Sequence, residues 1–252
     1  MVNEKIVIQS VEKLQPSIYL LKAFAPIIAS QIKPSQFCNI KVSENEFPLL
    51  RRPFSVCDVD GDSIHFMFDV HGEGTRILSE KIKGDKLEVL GPLGNGFNYN
   101  KNFKRAIFVA GGLGVAPFPY LTKVLQEKIE IITLIGARNS DFIIEHGLIN
   151  INIATDDGSV GFHGNVVELL NSHKEKFINE ETVVFACGPT PMLKSLQQFS
   201  IENNVECQIS TECAMACGFG ICQGCPVHSA DEDKYLLVCK DGPVFEAKDI
   251  KL

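Results

Sequence analysis

Ala106-Ile107-Phe108-Val109-Ala110-Gly111-Gly112-Leu113-Gly114-Val115-Ala116-Pro117 is the stretch on which the fold of this chain turns. Five apolar residues read as a buried strand, the glycines as a tight turn, and Pro117 stands where a helix begins, a position that tolerates its missing N–H. A glycine-rich strand-to-helix turn presents unpaired N–H groups and a positive dipole end to a pyrophosphate. The third glycine of the usual dinucleotide fingerprint is missing, so a plain tight turn in an α/β sheet is the alternative. The surroundings support the first reading. Residues 117–127 read as helix, 129–135 and 183–187 as apolar strands, and 191–202 as a further helix, an alternation that implies a parallel α/β sheet. Such sheets hold ligands at the carboxyl ends of their strands. Three more strand ends are candidates: Gly136-Ala137-Arg138, Thr155-Asp156-Asp157-Gly158-Ser159 and Cys187-Gly188-Pro189.

Upstream the texture differs. Between Glu4 and about Asn100, short apolar segments such as Ile18-Tyr19-Leu20-Leu21 and Ile64-His65-Phe66-Met67-Phe68 alternate with turns at Pro34-Ser35, Asp60-Gly61-Asp62 and Lys83-Gly84-Asp85. This pattern predicts an antiparallel barrel, with at most a brief helix around residues 75–82. Within it, Arg51-Arg52-Pro53-Phe54-Ser55 is followed twenty residues on by His71-Gly72-Glu73-Gly74-Thr75. An arginine pairs with pyrophosphate, a hydroxyl bonds a ring nitrogen, and a Gly-x-Gly-Thr turn offers N–H groups and a hydroxyl to phosphate. The plainer reading is a surface arginine pair and an ordinary hairpin.

Downstream, the strand–helix rhythm stops from about Glu206, and Gly218, Gly220 and Gly224 crowd among cysteines. Cys217-x4-Cys222-x2-Cys225, with Cys239 after thirteen more residues, has the spacing of plant-type [2Fe–2S] sites. Glycines between the ligands let N–H groups approach the sulfurs. Structural zinc is the rival, but zinc ribbons present two C-x2-C pairs and only Cys222/Cys225 has that spacing. Cys213 lies close enough in sequence to be considered and ranks as a bystander. The chain thus divides into an antiparallel β-barrel domain (1–100), a parallel α/β dinucleotide-binding domain (101–205) and a small cluster module (206–252).

The 252 residues, 45% of them hydrophobic, suffice for a sizeable core. A net charge of −7 without any Lys/Arg run argues against nucleic acid as a partner. No stretch approaches a membrane span, the N-terminus has no apolar signal region, and the expected compartment is the cytoplasm. Nine cysteines, an odd number with four clustered, argue for metal ligation over a disulfide scaffold. The histidines show no metal spacing, and Asp156-Asp157 reads as a turn pair and not as an acid/base dyad. No catalytic residue is assigned.

Taken in order, Arg52 to Ser55, Gly72 to Thr75, Gly94-Asn95-Gly96-Phe97, Gly111 to Pro117, Thr155 to Ser159, Cys187 to Pro189, Met215 to Gly218 and Val238 to Phe245 resemble the ferredoxin–NADP reductase superfamily. Within it the sequence is most similar to the iron–sulfur electron-transfer subunits of NAD-dependent dihydroorotate dehydrogenase, over essentially the whole chain. The resemblance implies FAD, NAD and one [2Fe–2S] cluster. It implies that Arg52 contacts the FAD pyrophosphate and Ser55 the flavin ring, with Pro53 between them and Phe54 where many reductases stack a tyrosine. It implies that Met67, Phe68 and Asp69 line the flavin, that Gly74 and Thr75 hold its phosphates, that Gly112 and Gly114 face the dinucleotide, and that Cys187, Gly188 and Pro189 lie where nicotinamide meets flavin. The implied partner is an FMN-binding dihydroorotate dehydrogenase subunit in a heterotetramer. A subunit of a ferredoxin-dependent NADP reductase or a sulfide dehydrogenase complex is the redox alternative, and a zinc-stabilised binding module is the alternative from another class. The cluster loop, residues 215–227, is expected near the docking face, with Met215, Phe219 and Ile221 either as contacts or as packing.

Overall fold

The computed structural model describes residues 1–44, 47–231 and 233–252. Six strands form its first body: β1 (Val2–Lys13), β2 (Ile18–Phe24), β3 (Phe37–Lys41), β4 (Arg52–Asp60), β5 (Ser63–Asp69) and β6 (Lys86–Leu93). They close into an antiparallel barrel in the order β1-β2-β5-β4-β3-β6. The period-two alternation sets its two faces. On β5, Ile64, Phe66 and Phe68 join the barrel core, while Met67 between them points the other way, into a second core shared with the next domain. Two short helices, α1 (Pro26–Ala29) and α2 (Glu73–Ser79), lie outside the strand ladder. Buried Glu4 accepts the N–H groups of Ile27 and Ile28 at 3.1 and 2.8 Å, which satisfies the open end of α1.

The second body is a seven-stranded sheet in the order β10-β9-β8-β7-β11-β12-β15. Its strands are β7 (Arg105–Gly111), β8 (Glu130–Ala137), β9 (Ile151–Thr155), β10 (Phe162–His163), β11 (Thr182–Cys187), β12 (Glu206–Ser210) and β15 (Val244–Glu246). All pair in parallel except β15. Helix α3 (Phe118–Leu125) covers one face. Helices α4 (Val166–Ser172) and α6 (Thr190–Glu202) cover the other, with the short α5 (Lys174–Phe177) beside α4. Because both faces are covered, every residue of β11 is buried. The chain runs outward from β7 to β8 and β9, then crosses back to β11, so the strand order reverses between β7 and β11. Packed rings seal the join with the barrel: Phe97, from the Gly94 to Phe97 segment, stacks on Phe118 at 5.7 Å and meets Phe185 edge to face at 5.2 Å.

The strand alternation runs further than the sequence reading has it. Residues 206–210 form β12, in parallel register with β11, because the alternating apolar Cys207 and Ile209 pack into the core on one face, which extends the sheet without a helix after it. β15 then closes that edge. The last strands, β13 (Pro226–Ser229), β14 (Tyr235–Leu237) and β16 (Ile250–Lys251), make a separate three-stranded sheet. Among the described residues no helix is long and apolar enough to cross a membrane.

Candidate functional site

At the reversal between β7 and β11, the glycine turn takes the shape its sequence requires. Gly112 has φ +53°, and a side chain added there would meet open space. Gly114 has the opposite environment: a Cβ would fall 2.2 Å from the Cys187 carbonyl oxygen. One glycine therefore opens on the cleft, and the other lets the two strand ends touch. That cleft, about 620 Å³, is walled by Gly111, Gly112 and Leu113, by Gly136 to Arg138 at the end of β8, by Asp156, and by Pro189. Gln15, Ser17, Ile18 and Asp69 of the barrel close its other side. Of the Cys187-Gly188-Pro189 trio, only Pro189 lines this cleft. Cys187 is buried within the sheet, and burial pushes its thiol far above the ordinary range.

A narrower cavity of about 190 Å³ adjoins it. Its walls carry Pro53, Phe54 and Ser55 from β4 and Met67, Phe68 and Asp69 from β5, together with Leu113 and Pro117 from the glycine turn. These are the residues expected to line a flavin, with an aromatic face provided by Phe54, whose ring packs 5.9 Å from Phe68. The two barrel motifs converge beside it: a Cβ on Gly74 would sit 2.8 Å from Arg52 Nε, so the turn and the guanidinium are in contact. The residues present fit an FAD in this respect, since a cation and a glycine backbone meet close in sequence to Pro53 and His71, which line the slot. Thr75 departs from expectation. Its hydroxyl accepts from the N–H groups of His71 and Gly72, both at 3.2 Å, and donates to the Gly72 carbonyl at 3.0 Å. The hydroxyl shapes the turn.

The sequence reading did not include the far wall of this cavity. Ser210 at the end of β12, Thr211 to Cys213 and Met215 just after it, and Pro243 reach it from the C-terminal part of the chain. The Glu212 side chain is exposed on the cavity side, yet protein packed around its carboxyl raises it above the usual range while His71 pulls it back. Glu212 and Cys213 also line a third cavity, about 680 Å³, between the end of β11 and the C-terminal sheet. No spacing rule marks them; their position follows only from β12 lying next to β11.

The same segment leads into the cysteines. Pairing of β13 with β14 sets Pro226 opposite Leu237, which brings Cys225 and Cys239 together at 3.1 Å between sulfurs. The Cys239 N–H points at Cys225 Sγ (3.4 Å), and the Cys222 N–H at Cys217 Sγ (3.5 Å). Cys217 is brought down to about 6: burial works against this, but N–H groups of Cys222, Phe219 and Ile221 converge on its sulfur. Cys239 is pushed up to about 12 by burial and by Cys225 beside it. Asn39 of β3 anchors the loop by donating to the Cys217 carbonyl at 3.2 Å, and Asn95 holds the returning strand through the Lys240 and Asp241 carbonyls. The four thiols stand as two pairs; among the described residues no three metal-binding side chains are already gathered. A soft four-sulfur donor set with N–H groups aimed at sulfur fits an iron–sulfur group. Ile221 is exposed and Phe219 partly so, whereas Met215 faces the flavin-sized cavity.

Residues 212–251 match the iron–sulfur cluster binding domain of dihydroorotate dehydrogenase B. The whole chain has relatives at high coverage. One, the dihydroorotate dehydrogenase B (NAD(+)) electron transfer subunit of Caldanaerobacter subterraneus subsp. tengcongensis, is 43% identical over 86% of both chains. This chain belongs to the family of dihydroorotate dehydrogenase B electron transfer subunits. The subunit of the same name from Bacillus velezensis is 36% identical over 98% of both chains. Among solved structures, an NADH-dependent reduced ferredoxin-NADP oxidoreductase studied for flavin-based electron bifurcation superposes with a TM-score of 0.85 at 27% identity, covering 100% of this chain and 90% of that one. A ferredoxin NADP+ reductase from Neisseria gonorrhoeae, at 18% identity, shares the fold (TM-score 0.67, 79% of this chain and 91% of that one). As a member of this family the chain is an oxidoreductase subunit with a flavin-reductase fold and an iron–sulfur binding domain, and its role as an electron transfer subunit implies a catalytic partner.

Proposed function

We propose that this chain takes electrons from an FMN-bearing dihydroorotate dehydrogenase subunit and delivers them, through a [2Fe–2S] cluster and FAD, to NAD⁺ for pyrimidine biosynthesis. The proposed assembly is a cytoplasmic heterotetramer with two copies of each chain. One observation carries the reading: the two cavities share lining residues, and the segment that leads to the cysteines lines one of them. Cys213 and Met215, on the segment that leads to the cluster cysteines, line the flavin-sized cavity, and Leu113 and Asp69 line both that cavity and the dinucleotide cleft. A donor site, a transformer and an acceptor site thus adjoin one another.

When bound, the nicotinamide exchanges hydride, the cluster exchanges single electrons and the flavin does either. The protein's part is to hold and shield. Cys217, Cys222, Cys225 and Cys239 are the proposed cluster ligands. The Arg52 guanidinium pairs with the pyrophosphate of FAD, the backbone at Gly74 and Thr75 receives its phosphates, and the Ser55 hydroxyl bonds the ring, which rests among Phe54, Met67 and Phe68. Gly112 brings backbone close to the dinucleotide, Gly114 sets the turn against β11, and Pro189 borders the cleft. NAD in place of NADP is supported by the relatives named as NAD(+) subunits. No general base is assigned, since the base that oxidises dihydroorotate belongs to the partner. A subunit serving a ferredoxin-dependent NADP reductase is the second reading, favoured by the TM-score of 0.85 to such an oxidoreductase. Co-expression with an FMN-binding (β/α)₈ dehydrogenase tests the proposal. The expected result is a particle of two copies of each chain that couples dihydroorotate oxidation to NAD⁺ reduction. Separate elution of the two chains, with no coupled NAD⁺ reduction, contradicts it.

A further inference from the structure

Asp69 ends β5, and with Leu113 it is one of two side chains that face both the flavin-sized cavity and the dinucleotide cleft. Its Oδ1 is shielded from solvent, and among the described residues no protein donor reaches it. The nearby polar groups do not pair with it. His71 directs Nδ1 at the Asp69 backbone carbonyl, 3.1 Å away, and not at the carboxylate. Arg138 lines the same cleft from the end of β8. Glu212, the other acid of the flavin-sized cavity, does not reach the cleft.

A shielded carboxylate oxygen without a donor is costly, and a ligand that brings positive charge to it offsets that cost. The junction of the two cavities is where a nicotinamide ring must stand to exchange hydride with a flavin. The oxidised ring is a pyridinium cation; the reduced ring is neutral. A carboxylate at that junction attracts the first and has no comparable attraction for the second. We propose that Asp69 is a specificity-determining residue that makes the site prefer the oxidised nicotinamide dinucleotide over the reduced one, holding the electron acceptor and releasing the product. This rests on the reading of the cleft as the nicotinamide dinucleotide site, and it adds a binding preference to that reading: the site holds NAD⁺ more tightly than NADH, which favours release of the reduced product.

Calorimetric titration of the FAD-loaded chain tests it, with two probes: NAD⁺, and tetrahydro-NAD, an unreactive analogue whose ring is uncharged. The Asp69→Asn variant should lose about tenfold in affinity for NAD⁺ and less than about twofold for the analogue, measured on preparations matched for FAD content. Asp69→Glu, which keeps the charge, should retain the parent's preference for NAD⁺. Equal losses for both probes, or none for NAD⁺, overturn the proposal. So does loss of FAD from Asp69→Asn with FAD kept in Asp69→Glu, which assigns the carboxylate to the flavin. If the parent binds neither probe, the dinucleotide reading of the cleft fails, and the proposal with it. A parent that binds both probes alike removes the proposal alone.

Discussion

The cysteine loop and the flavin-sized cavity are adjacent, yet they are built in opposite ways. All four cysteines lie between residues 217 and 239, and one hairpin, β13 with β14, is enough to bring Cys225 and Cys239 to 3.1 Å. The cavity draws its walls from β3, β4, β5, the glycine turn, the end of β12 and the segments after it, parts of the chain up to 206 residues apart, from Phe37 to Pro243. A site made by one loop depends on its ligands one by one. A site made where two bodies meet depends on how those bodies pack. Changes in the loop should therefore act on the cluster alone, and changes at the join should act on stability and on several sites together.

The largest expected effect is at the cysteines. Cys239→Ser should remove most of the iron and acid-labile sulfide while flavin content stays near that of the parent; Cys213→Ser should keep the iron. Full iron in Cys239→Ser would remove the ligand set proposed here. Next is Arg52→Ala. Losing a charge-assisted contact to a phosphate costs about 1.5–3 kcal/mol, roughly ten- to a hundredfold in FAD affinity, and flavin titration of the purified variant, with iron unchanged, measures it. An unchanged dissociation constant makes Arg52 a surface residue.

Gly114→Ala tests the glycine turn that forms the sheet's side of both cavities. Its Cβ would meet the Cys187 carbonyl at 2.2 Å, backbone against backbone, so a cost of about 1–3 kcal/mol is expected. Tm should fall by roughly 3–10 °C, and nucleotide binding should weaken with it. A variant as stable as the parent would mean the turn shifts freely.

The smallest effect is at Glu212, whose carboxyl is held above its ordinary 4.5 by burial, with His71 opposing. The folded chain keeps a proton there that the unfolded chain has already released, so this group's contribution to stability falls as pH rises from 4.5 through the raised value. Glu212→Gln should be more stable than the parent at pH 8, by a few degrees at most, and about equal to it at pH 4. A constant difference across that range would remove burial as the cause.

Much of this was legible in the chain. The barrel, the parallel sheet, the glycine turn and the cysteine spacing all announce themselves locally, because each rests on a short periodic pattern or a fixed separation. The members of the cavity's far wall do not. Glu212, Cys213 and Pro243 reach the flavin-sized cavity only because β12 extends the sheet beside β11 and β15 returns along its edge. Thr75 shows the converse. The motif marks the residue, but the hydroxyl is turned inward to shape the loop, a detail that depends on three backbone contacts and not on residue type.

The central claim is a division of labour: this chain passes electrons between cofactors, and a partner oxidises the substrate. The most direct measurement uses the purified chain alone, loaded with FAD and cluster and free of FMN. It should oxidise NADH with an artificial electron acceptor and show no dihydroorotate-dependent reduction of NAD⁺. Substantial NAD⁺ reduction by the isolated chain on addition of dihydroorotate would contradict the account.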